Sequence, residues 1–414
     1  MRSVRLAGRG FFPLDEELEL LPGVLTPQGH ECLVRLSGWM PFAKAVELLE
    51  DFMGMKVSKL VGQKYTHMAG AAYVEMQREE VEYLEQKMPE ATAGGEKLQI
   101  SADGAMVPLL HGVWAEVRTL VIGEVQAPRQ VEGEQEVHTR NLSYFSRKVN
   151  AQEFQKLALV EIQRRGVENA REIAAVMDGA DWEQGFVDFH CPQAIRILDF
   201  PHAAEHVNAI GETLYGEHTP ESEAWLGERL HRLKHEGPDK LLLEFEELQQ
   251  KSPDAKPISA NLAYLKKRKA QMQYPLFQAQ GWPIGSGIVE SGNKLVVEVR
   301  LKGAGMHWAE DHVNPMLAIR NILCSGRWKE DWPKIETRLR KQNRQRRTKL
   351  HQSRHPIIHP LPSTLLAPAL THPFNEPPLP QVEITETLPK PKKNTWRNFK
   401  HGKALFQPTQ PPKI

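Results

Sequence analysis

Residues 97–104, KLQISADG, and residues 171–182, REIAAVMDGADW, decide how this chain reads. In each, a short run of apolar and β-favouring residues reaches an Asp-Gly pair, Asp103-Gly104 and Asp178-Gly179, so each reads as a strand that ends in a turn. Outward from them, EVRTLVIGEV (116–125) reads as a second strand, reached through a segment centred on Trp114. NAQEFQKLALVEIQRRG (150–166) is an amphipathic helix, with Phe154, Leu157, Val160 and Glu161 on adjoining positions. A short helix through Phe186 and Phe189 follows Asp178, and AIRILDFPHAAEH (194–206) begins as a buried-type strand that stops at Asp199. The series strand, strand, helix, strand, helix, strand predicts an α/β sheet with helices packed on it. Residues 203–282 then run in helical patterns dense in Glu and Leu, which read as an all-helical insertion. A turn at Gly285–Gly287 opens a further helix, IVESGNKLVVEVRLK (288–302), broken at Gly303 and Gly305 and followed by WAEDHVNPMLAIRNIL (308–323).

Composition narrows the class. A chain of 414 residues is long enough for two or three compact units and one large core. No window approaches the roughly 20 uninterrupted apolar residues of a membrane span, and the start, MRSVRLAGRGFFPLDEELEL, lacks the apolar stretch of a secretory signal. Cys32, Cys191 and Cys324 are far apart and form no CxxC pair, which argues against thiolate zinc and fits a reducing compartment. The expected location is cytoplasmic, with no membrane partner. Net charge is +1, but residues 326–355 hold eleven Lys and Arg against three acids, a basic helical segment suited to DNA phosphates, with Arg344, Arg346 and Arg347 at its centre. Residues 356–414 are rich in proline and without periodicity, and read as a disordered tail.

The N-terminal region, 1–95, reads as helical. Ala43, Val46, Leu49 and Phe52 mark one helix, Gly54 breaks it, and Ser58 caps a second. On that second helix Lys59, Gln63 and His67 recur at intervals of four and share a face, as in a helix-turn-helix that presents side chains to a DNA groove.

No GxxxxGK[ST] or GxGxxG motif occurs, so no nucleotide cofactor is expected. What remains is a set of acids at strand ends and at a helix start: Asp103, Asp178, Asp199 and Glu290. Ligands of an open α/β sheet gather beyond the carboxyl ends of its strands, where such acids converge. Carboxylates brought together repel unless a cation neutralises them, and all-oxygen ligation suits Mg²⁺, a pair of which cleaves phosphodiesters.

The blocks DGAMVPL followed by Trp114 and EVRTLVIGEV, then DGADW, ILDFPHAAEH, and PIGSGIVESGNK with RLKGAGMHW, resemble those of bacterial insertion-sequence transposases of the Kra type, distant relatives of the Mutator-like group. FPLDEELEL and the helical pair after it extend the resemblance to about residues 11–330. It implies an RNase H-like mixed sheet with helices on both faces (96–202 and 283–325), interrupted by the 203–282 insertion. It also implies a DDE active site, carried residue by residue to Asp103, Asp178 and Glu290 as catalytic, metal-binding residues for two Mg²⁺ or Mn²⁺ ions. The implied partner is DNA, the terminal inverted repeats of the protein's own element, bound by a homodimer or higher oligomer that is nucleoid-associated when on DNA. In such a sheet the strand ending in Asp178 lies beside the central strand bearing Asp103, and that ending in Asp199 lies about 5 Å further out. Asp178 is therefore the expected ligand, with Asp199 and His202 behind it, holding the strand end by hydrogen bonds. Gly285 and Gly287 are expected to let the backbone turn sharply before Glu290, and Lys294, Arg300 and Lys302 to guide the DNA strand. Two departures stand out. The relatives carry a cysteine-rich segment before FPLDE that this chain lacks, which points to a shortened copy, and Pro201 replaces an aromatic residue before His202.

Two rival readings remain at this level. His202-Ala-Ala-Glu205-His206 matches the H-x-x-E-H motif of inverted zinc peptidases. A catalytically inactive DNA-binding remnant of a mobile element would keep the basic segment without the chemistry.

Overall fold

The computed structural model describes residues 4–6, 9–11, 21 and 25–354, apart from positions 88, 91–93, 132–133 and 253. The FPLDEELEL block and the proline-rich 356–414 segment lie outside the described residues. Five strands, β1 (Lys97–Pro108), β2 (Trp114–Val125), β3 (Thr139–Arg147), β4 (Glu172–Met177) and β5 (Ile195–Leu198), form one mixed sheet in the order β3-β2-β1-β4-β5. β1, β2 and β3 are antiparallel neighbours, whereas β4 runs parallel to β1 and β5 parallel to β4. The α/β class is as the sequence predicts.

Register, rather than strand ends alone, aligns the acids. Ile100 lies opposite Ala175 in the β1–β4 pair and Met177 opposite Leu198 in the β4–β5 pair, so carrying each register onward brings Asp103, Asp178 and Asp199 to one level of three parallel strands. β4 and β5 stop there. β1 does not: it continues to Pro108 against β2, with Asp103 opposite Thr119 and Gly104 opposite Arg118, so Asp103-Gly104 is not a turn as the sequence suggests. The reversal comes later, around Leu110–Gly112, and Trp114 opens β2 instead of centring a linker.

β3 has no counterpart in the sequence reading. Its buried half carries Ser143, Ser146 and Arg147, which break the apolar alternation that marks a half-buried strand. Ser146 and Arg147 are buried with partners: Asn321 Oδ1 accepts from Ser146 N at 3.1 Å, and Arg147 donates to Gln77 Oε1 and to Ser146 O.

Helices cover both faces. α1 (Pro27–Trp39), α2 (Phe42–Met53) and α3 (Lys59–Lys87) precede the sheet; α4 (Ala151–Arg164) and α5 (Asp181–His190) alternate with its later strands. After β5 come α6 (Phe200–Tyr215), α7 (Pro220–Glu236), α8 (Asp239–Lys251), α9 (Lys256–Lys267) and α10 (Tyr274–Ala279). β4 shows why its sequence is an unbroken apolar run: Ala175 and Met177 pack with Phe154 and Phe186 of α4 and α5, while Ala174 and Val176 pack with Val207 of α6 and Leu262 of α9.

α11 (Gly287–Gly292) then runs through a π-helical stretch, Asn293–Glu298, into α12 (Val299–Leu301), and is followed by α13 (Glu310–Cys324) and α14 (Trp328–Arg354). The N-terminal helices do not form a core of their own. Leu33, Leu49, Tyr65 and Ala69 share one with Ile319 and Ile322 of α13 and with Trp328, Trp332, Ile335 and Leu339 of α14. The boundary expected at 325/326 therefore cuts through a core, and one side of the basic segment is an apolar, buried stripe. Among the described residues no helix is long and apolar enough to cross a membrane.

A buried ion pair joins these parts. Asp331 of α14, fully buried, accepts from Tyr73 Oη at 2.8 Å, from Arg164 at 3.0 and 3.1 Å and from Lys334 at 2.9 Å. Burial alone would raise its pKa, but the hydrogen bond and charge of Arg164, with Lys334 and Tyr73, outweigh it and hold the carboxyl below its usual range. A depressed carboxylate contributes stability that is present above its unfolded pKa, roughly 4, and lost as pH falls through the lower folded value. Asp331→Ala leaves Arg164 without its partner and is expected to cost about 3–5 kcal/mol in urea unfolding at pH 7. The deficit relative to wild type should shrink below roughly pH 4.

Candidate metal centre

Asp103, Asp178 and Glu183 each offer a carboxylate oxygen within 4.8 Å of the other two. Asp103 comes from the middle of β1, Asp178 from the first position after β4, and Glu183 from the first turn of α5. Glu183 is 2% exposed, and its Oε2 accepts from the backbone N–H of Gly179 at 2.9 Å and of Ala180 at 3.1 Å. It thereby serves the amides at the start of α5, where a negative charge is favoured. Asp103 accepts at Oδ1 from Gly104 N at 2.6 Å and at Oδ2 from Asn293 Nδ2 at 2.8 Å.

The cluster carries uncompensated acidity. Burial, then the neighbouring Asp103, pushes Asp178 up to about 6, and burial, then Asp178, pushes Glu183 up to about 8. Asp103 is also raised, by burial first and then by Glu290 and Glu116, against the hydrogen bonds from Gly104 and Asn293. Among the described residues none of the three carboxylates forms an ion pair with Lys or Arg, and Asn293, 6% exposed, keeps an Oδ1 with no hydrogen-bond partner beside Asp103. Three converging carboxylates without a Lys or Arg partner, beside an orphaned amide oxygen, fit a hard divalent ion with oxygen ligands.

Glu290 is exposed on α11, one turn before Asn293, and its charge helps raise Asp103. The structure thus brings it to the side of Asp103 but outside the close group, where Glu183 stands instead. Asp199 is buried behind the group: Oδ2 caps α6 through His202 N at 3.0 Å, and Oδ1 accepts from Ser286 N at 2.6 Å, tying the β5 end to the loop that leads to Glu290. His202 lies close enough to Asp178 to lower its pKa and pairs with Glu205 at 3.3 Å.

Gly285 and Gly287 do not have the role expected of them. Neither has a positive φ, and a Cβ would meet nothing within 4 Å at Gly287 and only Asp199 Oδ1, at 3.9 Å, at Gly285. The glycine that matters on this helix is Gly292, where a Cβ would lie 2.7 Å from Val121 Cγ2. The missing side chain lets α11 rest on β2 and β3.

Several residues expected at a DNA surface are elsewhere. Arg300 is buried; its Nε donates to Ser37 O at 2.9 Å and its guanidinium lies over Phe42 and Trp308. Burial, with Arg320 nearby, lowers it to about 10. His67 is turned into the packing, its ring 3.7 Å from that of His312, and burial, then His312 and Arg300, pulls it down to about 3. Gln63 lies half-buried beside the same His312, at 3.5 Å. Lys302 is exposed and paired with Glu298 one turn away. Lys59, Lys294, Arg344 and Arg346 are exposed, and Arg347 follows on α14. Of the H-x-x-E-H histidines, His206 Nδ1 is bonded to Asn261 Oδ1 at 2.6 Å and its ring is stacked on Tyr264 at 4.0 Å.

Glu183 escapes a reading based on strand ends because it sits inside a helix. Its signal is the helix start itself, a Glu three residues into ADWE just after a strand-ending Asp-Gly, the position from which a side chain folds back onto the first amides. No protein-family model matches this chain, and no curated protein shows significant similarity to it.

Asp178 and Glu183 hold protons more tightly folded than unfolded. The metal-free chain should therefore lose stability as pH rises from roughly 4 toward 8, the opposite of the Asp331 effect. Glu183→Gln keeps an oxygen for the Gly179 and Ala180 amides but removes the buried charge. It is expected to stabilise the chain at pH 8 by on the order of 2 kcal/mol and hardly at pH 4, as urea unfolding in chelator would measure. Equal stability at pH 8 would mean that the carboxylate ionises there without cost.

Proposed function

We propose that this protein is a metal-dependent DNA strand-cleaving and strand-transferring enzyme, the transposase of an insertion sequence. The observation that carries the reading is the juxtaposition of Asp103 and Asp178, level with each other on adjacent parallel strands, in a group of carboxylates with no Lys or Arg ion pair among the described residues. The order β3-β2-β1-β4-β5, three antiparallel strands continued by two parallel ones, supports an RNase H-like assignment of the sheet, and the helices between β5 and α11 support that of a helical insertion.

Two divalent cations bound here, Mg²⁺ or Mn²⁺, would supply activation of the attacking water or 3′-hydroxyl and stabilisation of the leaving oxygen. The residues of the chain divide the remaining work. Asp103 and Asp178 would hold the cations, with Asn293 Nδ2 fixing one oxygen of Asp103 and Glu183 completing the close group. Glu290, delivered to the side of Asp103 by the helix that also carries Asn293, is the third residue of the triad. Lys294, exposed one turn beyond Glu290, meets the phosphates of the strand being cut, while Lys59 and the α14 arginines Arg344, Arg346 and Arg347 add affinity along the duplex.

The test is cleavage of DNA carrying the ends of the protein's own element, with and without Mg²⁺ or Mn²⁺. Asp103→Asn, Asp178→Asn and Glu290→Gln should each lower the cleavage rate by about a thousandfold or more while end binding persists. Asp199→Asn should act mainly on stability, since its carboxylate is spent on His202 N and Ser286 N. Normal cleavage by Asp178→Asn with none by Asp199→Asn would reverse the assignment of the second carboxylate. Replacing Arg344, Arg346 and Arg347 by Gln should weaken binding to all sequences and lower the salt slope by up to about 0.9 for each phosphate that is no longer neutralised.

A further inference from the structure

The carboxyl ends of β4 and β5 leave backbone carbonyls facing the helices that follow, and three side chains from that helical segment donate to them. Tyr264 Oη, on α9, donates to Asp178 O, and Arg268 donates to Gly179 O through Nε, at 3.1 Å, and through Nη2. Tyr274 Oη, on α10, donates to Leu198 O at 3.1 Å, one residue before Asp199. Arg268 is only 5% exposed, and its guanidinium also meets Asp181 Oδ1 at 3.4 Å, so its charge is held between Gly179 O and a carboxylate of α5. Gly179 has φ +80°, and a Cβ there would lie 2.8 Å from both Arg268 Nε and Tyr264 Oη, so the turn and the two side chains fit only with glycine between them.

The support extends two residues further, to His206 and Asn261. Tyr264 lies flat on the ring of His206, with centroids 4.0 Å apart, and His206 is fixed by Asn261, which itself donates to Pro257 O at 2.8 Å. The H-x-x-E-H segment, whose spacing suggests zinc, thus backs a tyrosine whose hydroxyl ends on the second aspartate.

We propose that Tyr264 and Arg268 are positioning residues for Asp178, with His206 holding Tyr264, so that the helical segment after β5 sets where the second carboxylate stands. The proposal rests on Asp178 being a cation ligand. It is separable from that reading because a brace on the turn leaves its mark in the absence of any ion.

The experiment uses the full chain and its Tyr264→Phe, Arg268→Ala and Arg268→Lys variants, with two readouts: hydrogen exchange of residues 178–183 in chelator, and Mn²⁺ binding by calorimetry. Arg268→Ala should speed exchange at Gly179 and Ala180 by about tenfold, leave α1 and α13 unchanged, and weaken Mn²⁺ binding about tenfold. Arg268→Lys should recover part of both losses, and Tyr264→Phe, which keeps the stack on His206, should show a smaller change in the same direction. Should wild type bind no Mn²⁺, the cation reading falls and the exchange data alone decide the brace. Wild-type exchange at 178–183 in both Tyr264→Phe and Arg268→Ala would overturn the proposal, as would undiminished Mn²⁺ affinity in Arg268→Ala. If Arg268→Ala fails to fold, Tyr264→Phe and Arg268→Lys decide by the same two measures.

Discussion

Burial of Asp103, Asp178 and Glu183 with their oxygens within 4.8 Å of one another, which disfavours their charged forms first by withdrawal from water and then by mutual repulsion, is the constraint that the surrounding structure has to oppose. Each carboxylate is held by a different kind of restraint. Asp103 is inside a strand paired on both sides up to Ile100 and on the β2 side beyond it. Asp178 is fixed through its own carbonyl and that of Gly179, which Tyr264 and Arg268 grip. Glu183 is anchored by the two amides it accepts from. None of these restraints supplies a Lys or Arg charge to a carboxylate, so the group keeps its geometry while its carboxyls hold their protons more tightly than in water.

The same economy governs the cationic residues. Arg300, a candidate for nucleic acid when read along the sequence, and Arg320 of α13 are both buried and donate to the last carbonyls of α1, Ser37 O at 2.9 Å and Gly38 O at 3.0 Å. The carboxyl end of a helix leaves such carbonyls unsatisfied and favours positive charge, so the two guanidinium groups cap α1. Arg320 also donates to Val296 O at 3.2 Å and to Leu295 O, carbonyls of the π-helical stretch whose regular ladder is shifted there. One arginine therefore ties an N-terminal helix to the helix that carries Glu290 and Asn293. This explains why the N-terminal helices and the sheet are not separate bodies with a linker between them.

Lys59, Lys294, Arg344 and Arg346, all exposed, are set on elements that also carry buried core residues. A substitution on them that removes charge has to be read against its effect on the core.

What the sequence determined by itself is what depends on neighbours within a few residues. The unbroken apolar run of β4, the Asp-Gly that ends it, the amphipathic period of α4 and the stop at Asp199 follow from local periodicity and turn chemistry. Asp199, expected to hold the strand end by hydrogen bonds, does so, but tertiary structure decided most other points at which a polar group is buried. Ser143, Ser146 and Arg147 hid β3 because an inward-facing polar residue is read as outward until partners such as Asn321 and Gln77 are known. Arg300 and His67 read as solvent-facing because the groups that desolvate them lie far along the chain: Arg300 and Ser37 are 263 residues apart. Glu183 joined the two aspartates for the same reason, since a glutamate in the first turn of a helix is an ordinary cap until the sheet brings a second and a third carboxylate against it.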